Sequence, residues 1–239
     1  MGNIKILIIA TSHGQMGETN RKTGLWLEEL AAPYFVFRDA GIAITLASPK
    51  GGPVPLDPKG ESTLASNSTV RRFKKDHEAM YCLEHSVSLG AQRADNFDMV
   101  FLTGGHGTMW DFPANEPLKQ LLQDFNRQHK PIGAVCHGAV ALVFLENSLG
   151  EPLVKGWRLT AFSNSEEEVS GLTGILPFLL ESKLIFLGAS YSKGPDFISY
   201  TVTDGNIITG QNPASSMEVA LKLLTLQKEL PKAAEALLN

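Results

Sequence analysis

The stretch Ile132-Gly-Ala-Val-Cys136-His137-Gly138-Ala-Val-Ala-Leu-Val-Phe-Leu145 decides how the chain is read. A short apolar run stops at Cys136, a His and a Gly follow, and an apolar helical pattern begins. A run without polar alternation is what a strand buried on both faces requires. The same kind of run recurs at Ile4 to Ala10, Ile42 to Ala47 and Met99 to Thr103, and helical patterns lie at Gly24 to Asp39, Pro117 to His129 and Gly138 to Leu145. Strands alternating with helices predict an α/β fold: a doubly wound, mostly parallel sheet with helices on both faces.

Ligands of such sheets collect beyond the carboxyl ends of the strands, which is where Cys136 falls. A sharp strand-to-helix turn exposes one side chain, as the nucleophile elbow of a hydrolase does, although Ala134 stands here in place of that motif's first Gly. The N–H groups of a following helix favour thiolate over thiol, so a Cys136 pKa below the free value is expected. The plain alternative is a cysteine that packs between sheet and helix. His137 reaches the site only if the turn swings it there, because neighbouring helical residues do not face each other.

A second loop, Phe101-Leu-Thr-Gly104-Gly105-His106-Gly107-Thr108, leaves the strand at Met99 to Thr103. Its glycines let backbone approach a ligand, and the Gly105 N–H could join one from the Cys136 turn against an oxyanion. Gly104 and His106 belong to the same substrate-binding loop. The spacing is not the dinucleotide fingerprint, and a simple tight turn would also explain it. In the segment from Gly24 to Phe37 only Glu28 and Glu29 are charged, and Glu29 shares a helical face with Leu25, Ala32 and Val36. A carboxyl in apolar surroundings has a raised pKa and can handle protons near neutrality; alternatively both glutamates point to water. In the run from Ser163 to Val169, Ser165 and Glu168 have capping-box spacing.

With 239 residues and 43% hydrophobic content the chain suffices for one domain, residues 1–239. Residues 49–68 carry four prolines and three glycines. They are expected to leave the sheet irregularly and, with the helix-like segment after them, to form a flap over about 49–90. Pro177 is expected to open a helix, Asp204-Gly205 to turn a hairpin, and Asn212-Pro213 to cap a final helix. Twenty-one basic and 25 acidic residues give a net charge of −4, with no basic aromatic stripe for nucleic acid. No stretch approaches the roughly 18 apolar residues of a membrane span. The opening apolar run is shorter than the roughly 7 to 15 residues of a signal-peptide core, and reads as a first strand. Cys82 and Cys136 have dissimilar surroundings and are not expected to pair, which fits a cytoplasmic setting. His77, Cys82 and His85 share no helical face, so no metal is expected. Trp26 and Trp110 are candidates for a pocket mouth or for packing.

The segments Thr23 to Tyr34, Gly104 to Pro113, Gly133 to Leu142, Leu159 to Glu168 and Thr203 to Ser216 together resemble the ThiJ/PfpI superfamily, which has the class I glutamine amidotransferase-like, flavodoxin-like fold. Within it they resemble the heat-shock-type, glutathione-independent glyoxalases. The resemblance implies Cys136 as nucleophile, His137 as its partner, and Glu29 as the carboxyl on the thiol. It places the acid that orients the histidine at Glu167, with Glu166 and Glu168 open to a one-residue shift. It also implies a Gly105 oxyanion donor, a dicarbonyl substrate, no cofactor, and a homodimer. The rivals are a cysteine amidohydrolase, peptidase or protein deglycase of the same superfamily, and a holdase chaperone or thiol redox sensor.

Overall fold

The structure, a computed structural model, describes residues 4–62 and 68–236. The first half runs β1 (Lys5–Ile9), α1 (Glu28–Asp39), β2 (Ala43–Ser48), α2 (Pro58–Ser62), α3 (Ser68–Lys75), α4 (His77–Glu84), β3 (Val87–Ser88), β4 (Met99–Leu102), α5 (Thr108–Asp111) and α6 (Glu116–Arg127). The second half runs β5 (Ile132–Val135), β6 (Arg158–Leu159), α7 (Asn164–Ser170), α8 (Leu180–Phe186), β7 (Ser190–Tyr191), β8 (Thr201–Asp204), β9 (Ile207–Gly210) and α9 (Ser216–Ala236).

Seven strands form one sheet in the order β3-β2-β1-β4-β5-β9-β8. All pairs are parallel except β8 with β9. Strands β6 and β7 pair separately. Leu7 stands opposite Thr45 on one side and Val100 on the other, so β1 is central, and Ile6 to Ile9 are buried on both faces. Successive residues feed two cores. Ile6, Ile8, Met99 and Phe101 pack with α1 and α9, whereas Leu7, Ile9, Val100 and Leu102 pack with α5 and α6. In α6, Leu118, Leu121, Leu122 and Phe125 make the buried stripe, and the Asn115 side chain accepts the Leu118 N–H at 2.9 Å to start it.

Strand order reverses between β1 and β4, whose carboxyl ends, with that of β5, define the crevice for a ligand. The predicted parallel α/β sheet is therefore present.

Several local expectations need correction. Cys136–Phe144 is a 3-10 helix, not an α-helix: Gly138 lies so close to β4 that a Cβ there would sit 2.6 Å from the Thr103 carbonyl oxygen. In the 49–90 excursion the expected helix-like segment is present as α3 and α4, while α2 and the edge strand β3 add order where none was expected; residues 63–67 of it lie outside the described residues. The hairpin turn is Gly205-Asn206, since Asp204 pairs with Ile207 as the last residue of its strand. The capping box is Ser163 with Glu166, two residues earlier than Ser165 with Glu168. The helix expected from Pro177 starts at Leu180, and Asn212-Pro213 opens a 3-10 turn that leads into α9. Among the described residues no helix is long and apolar enough to cross a membrane.

Candidate active site

At the end of β5 the backbone passes from an extended Val135 to Cys136 with φ of 55°, a left-handed conformation uncommon outside glycine. The Thr108 hydroxyl donates to the Gly105 and His137 carbonyls at 2.9 and 3.1 Å, tying the two loops together. The result holds Cys136 at 3% exposure with His137 Nδ1 at 3.3 Å from its sulfur. The turn thus brings adjacent side chains into contact, which helical spacing alone would not do.

His137 Nε2 lies 2.7 Å from Glu167 Oε2, and His106 Nε2 lies 2.9 Å from Glu167 Oε1. Burial works to raise the Glu167 pKa, but the two histidines outweigh it and hold the carboxyl at about 2. An ionised carboxylate only accepts, so both Nε2 atoms carry hydrogen and donate it to Glu167. His137 is held below its ordinary pKa by burial and then by His106, so its resting Nδ1 is a base facing the thiol. The two rings pack 4.1 Å apart, with Phe162 4.6 Å from His137.

Of the three glutamates left open by sequence, Glu167 alone meets the histidines. Glu166 caps α7 through Ser163 and accepts from Asn212 Nδ2 and the Phe197 N–H at 2.8 and 2.7 Å. Glu168 is exposed.

Glu29 comes from the first turn of α1 and is fully buried. Its Oε2 accepts the Gly104 N–H at 2.6 Å, and a Cβ on Gly104 would lie 2.5 Å from that oxygen. Burial pushes the carboxyl pKa well up, and the interaction with Cys136 pulls it only partly back. The thiol is also pushed well up, first by burial and then by the Glu29 charge, with the His137 N–H opposing weakly. The expected lowering of the Cys136 pKa by a helix end is therefore overturned. No α-helix begins there, the sulfur is desolvated, and a carboxyl adjoins it. The pair holds at most one negative charge, and the thiolate must form by giving its proton to His137.

Gly105 has φ of 92°, and a Cβ there would lie 2.2 Å from the Gly24 carbonyl oxygen. Its N–H has no hydrogen-bond partner among the described residues, whereas the Gly104 N–H is taken by Glu29. A cavity of about 260 Å³ opens beside the site, lined by Trp26, Met16, Leu172, Arg21, Lys22, Asp57, Lys59 and His106. Trp110 does not line it but stacks on His13 at 5.4 Å. His106 is the one member of the buried cluster in that wall; Cys136 is not.

Ligand atoms of His106, His137 and Glu167 lie within 4.8 Å of one another, yet the hydrogen bonds just described occupy them and account for the cluster without a metal. His85 instead bonds the Tyr81 carbonyl at 3.0 Å, and Cys82 is a half-buried packing residue and, like Cys136, a free thiol. The His106–Glu167 contact joins residues 61 apart, and no local spacing in the sequence announces it.

The DJ-1/PfpI family profile matches residues 23–226. The chain belongs to the DJ-1/PfpI family. It is 32% identical over 232 residues to "Glyoxalase 3" of Candida albicans, covering 91% of this chain and 95% of that protein. It is 31% identical over 239 residues to "Glutathione-independent glyoxalase hsp3101" of Schizosaccharomyces pombe, covering 95% and 98%. Among solved structures, Francisella tularensis Rapid Encystment Protein 24 KDa superposes with a TM-score of 0.90 at 37% identity, covering 94% of this chain and 99% of that one. Glyoxalase III from Candida albicans superposes with a TM-score of 0.84 at 27% identity, covering 93% and 96%. The chain spans nearly the whole length of each of these proteins.

Proposed function

We propose that this protein converts methylglyoxal or glyoxal to D-lactate or glycolate, without glutathione, through a hemithioacetal on Cys136. The observation that carries the reading is the continuous chain from Cys136 Sγ through His137 to the ionised Glu167, with the neutral Glu29 carboxyl against the same sulfur.

His137 Nδ1 takes the thiol proton, and the imidazolium is balanced by Glu167. The thiolate attacks the aldehyde carbon C1, while the Gly105 N–H supports the oxyanion until His137 returns the proton. Glu29, as a neutral acid, stabilises the thiolate by hydrogen bonding. The C1 proton then moves to C2 through an enediolate, and water cleaves the resulting thioester. Glu29 and His137 are the groups in contact with sulfur that the sequence offers for that transfer. The relatives named glutathione-independent glyoxalase support the same substrate class.

An amidohydrolase or peptidase reading fits less well, because a thiol at 3% exposure beside a cavity of about 260 Å³ leaves no cleft for an extended chain. The reading treats the chain as one domain that works as a homodimer in the cytoplasm with no cofactor; light scattering on the purified protein tests the dimer. The deciding experiment measures D-lactate from methylglyoxal without glutathione for the wild type, Cys136→Ala and Glu29→Gln. Turnover in the wild type and loss in both variants is expected. An inactive wild type overturns the reading and favours a holdase or thiol sensor.

A further inference from the structure

Proton transfer between C1 and C2 needs a basic atom that is free, faces the substrate space and can be charged briefly at low cost. Glu29 fails on two counts. Its carboxyl is fully buried with Oε2 tied to Gly104, and burial keeps it protonated, so it is a donor before it is a base. His137 is 1% exposed, with Nδ1 on the sulfur and Nε2 on Glu167. Both of its nitrogens are already engaged. His106 stands in the cavity wall, its Nε2 on Glu167, and its Nδ1 has no hydrogen-bond partner among the described residues.

We infer that His106 is the catalytic base that takes the substrate proton from C1 and returns it to C2, sharing Glu167 with the thiol-activating His137. This deepens the glyoxalase reading and rests on it.

The single carboxylate explains the order of events. Two imidazoles 4.1 Å apart share one negative charge, so charging both at once is disfavoured and charging either one is compensated. While His137 holds the thiol proton, the Glu167 charge is committed to His137. Once the hemithioacetal alkoxide has taken that proton back, Glu167 is free to balance an imidazolium at His106. His106 Nδ1 then removes the C1 proton. The C1–H pair becomes the C1–C2 double bond, and the carbonyl pair moves onto the C2 oxygen. In the return step the C1 hydroxyl loses its proton, which passes to the C2 oxygen. The double-bond pair meanwhile takes the proton from His106 at C2, leaving the thioester. One carboxylate thereby serves two successive proton transfers at opposite ends of the same pair of rings. Other charges around His106 come from the cavity wall, namely Arg21, Lys22, Asp57 and Lys59, and from Glu167 on its Nε2.

The test compares wild type, His106→Gln and His106→Ala for D-lactate formation and for alkylation of Cys136 by iodoacetamide. A Gln side chain can still donate to Glu167 but cannot carry a proton. Both variants are expected to lose about 10²-fold or more in kcat, the lower range for a lost general base, with KM within about threefold. Alkylation of Cys136 should not fall in parallel with kcat, because the His137–Glu167 pair that activates the thiol remains. Added imidazoles should restore His106→Ala at a rate that rises with their basicity. A His106→Gln enzyme near wild-type kcat would reduce His106 to a positioning residue and overturn the assignment. So would a loss confined to KM, rescue indifferent to basicity, or a parallel loss of alkylation. If His106→Ala does not fold by circular dichroism, His106→Gln decides alone. A wild type that forms no D-lactate overturns the glyoxalase reading and this assignment with it, whereas an active wild type with an active Gln variant overturns the assignment only.

Discussion

Glu29 and Glu167 flank the same thiol–imidazole pair from opposite sides, one from α1 and one from α7, and both are buried. Burial pushes each toward neutrality as its largest single influence. Yet Glu29 ends protonated and Glu167 ionised. Glu29 sees one N–H and a thiol that itself resists charge, whereas Glu167 sees two imidazoles that donate to both its oxygens. Desolvation sets the stake, and the neighbours decide the sign. An acid and a permanent anion are thus made from one residue type within one site.

The comparison breaks most visibly at the sulfur that links its two sides. Cys136→Ala is expected to remove D-lactate formation by more than about 10³-fold, since no other residue can form the hemithioacetal. Glu167→Gln should cost about 10²–10⁴ in kcat by disturbing the tautomer of His137; a rate within threefold of wild type would mean that the carboxylate does not orient the ring. Glu29→Gln should lower kcat by about 10², while keeping a neutral hydrogen-bonding group on Gly104.

Melting curves against pH sharpen the contrast. The folded pKa of Glu29 is raised above its ordinary 4.5, so its contribution to stability is full below 4.5 and is lost as pH rises. Glu29→Gln should therefore melt higher than wild type at pH 7, by roughly 2–4 °C for each kcal/mol released, and the gap should close toward pH 4.5. Glu167 runs the other way. Its stabilisation is present above 4.5 and fades as pH falls toward about 2, so Glu167→Gln should melt lower at neutral pH and converge with wild type in acid. Parallel slopes for the two variants would refute the opposite protonation states. The smallest effect belongs to the neighbour: Glu168→Gln should leave turnover within about twofold and stability within about 0.5 kcal/mol, as an exposed position does.

The sheet was legible because its inner strands are buried on both faces, which demands uninterrupted Ile, Val, Leu and Met and leaves a pattern local to each strand. Cys136 was legible for the same reason, as the place where such a run stops. Elements that depend on distant contacts were not. Whether the chain from Cys136 winds as an α- or a 3-10 helix depends on β4 passing beside Gly138, and the prolines of 49–68 hide α2 among them. Two capping boxes fit the letters around Glu166, and only the extended Ser163 and its reciprocal bonds with Glu166 choose between them. The Cys136 pKa was misjudged because the fold buries the thiol and then sets against it a carboxyl 107 positions earlier in the chain.

The left-handed backbone at Cys136 has an evolutionary corollary. A side chain held in that region costs about 1–3 kcal/mol that glycine would not. A population screened for heat tolerance alone, with no toxic aldehyde to remove, is expected to drift toward Gly at codon 136. At this position the step toward a sturdier backbone is then the one that disarms the molecule, so a thiol retained there implies that its chemistry is still under demand.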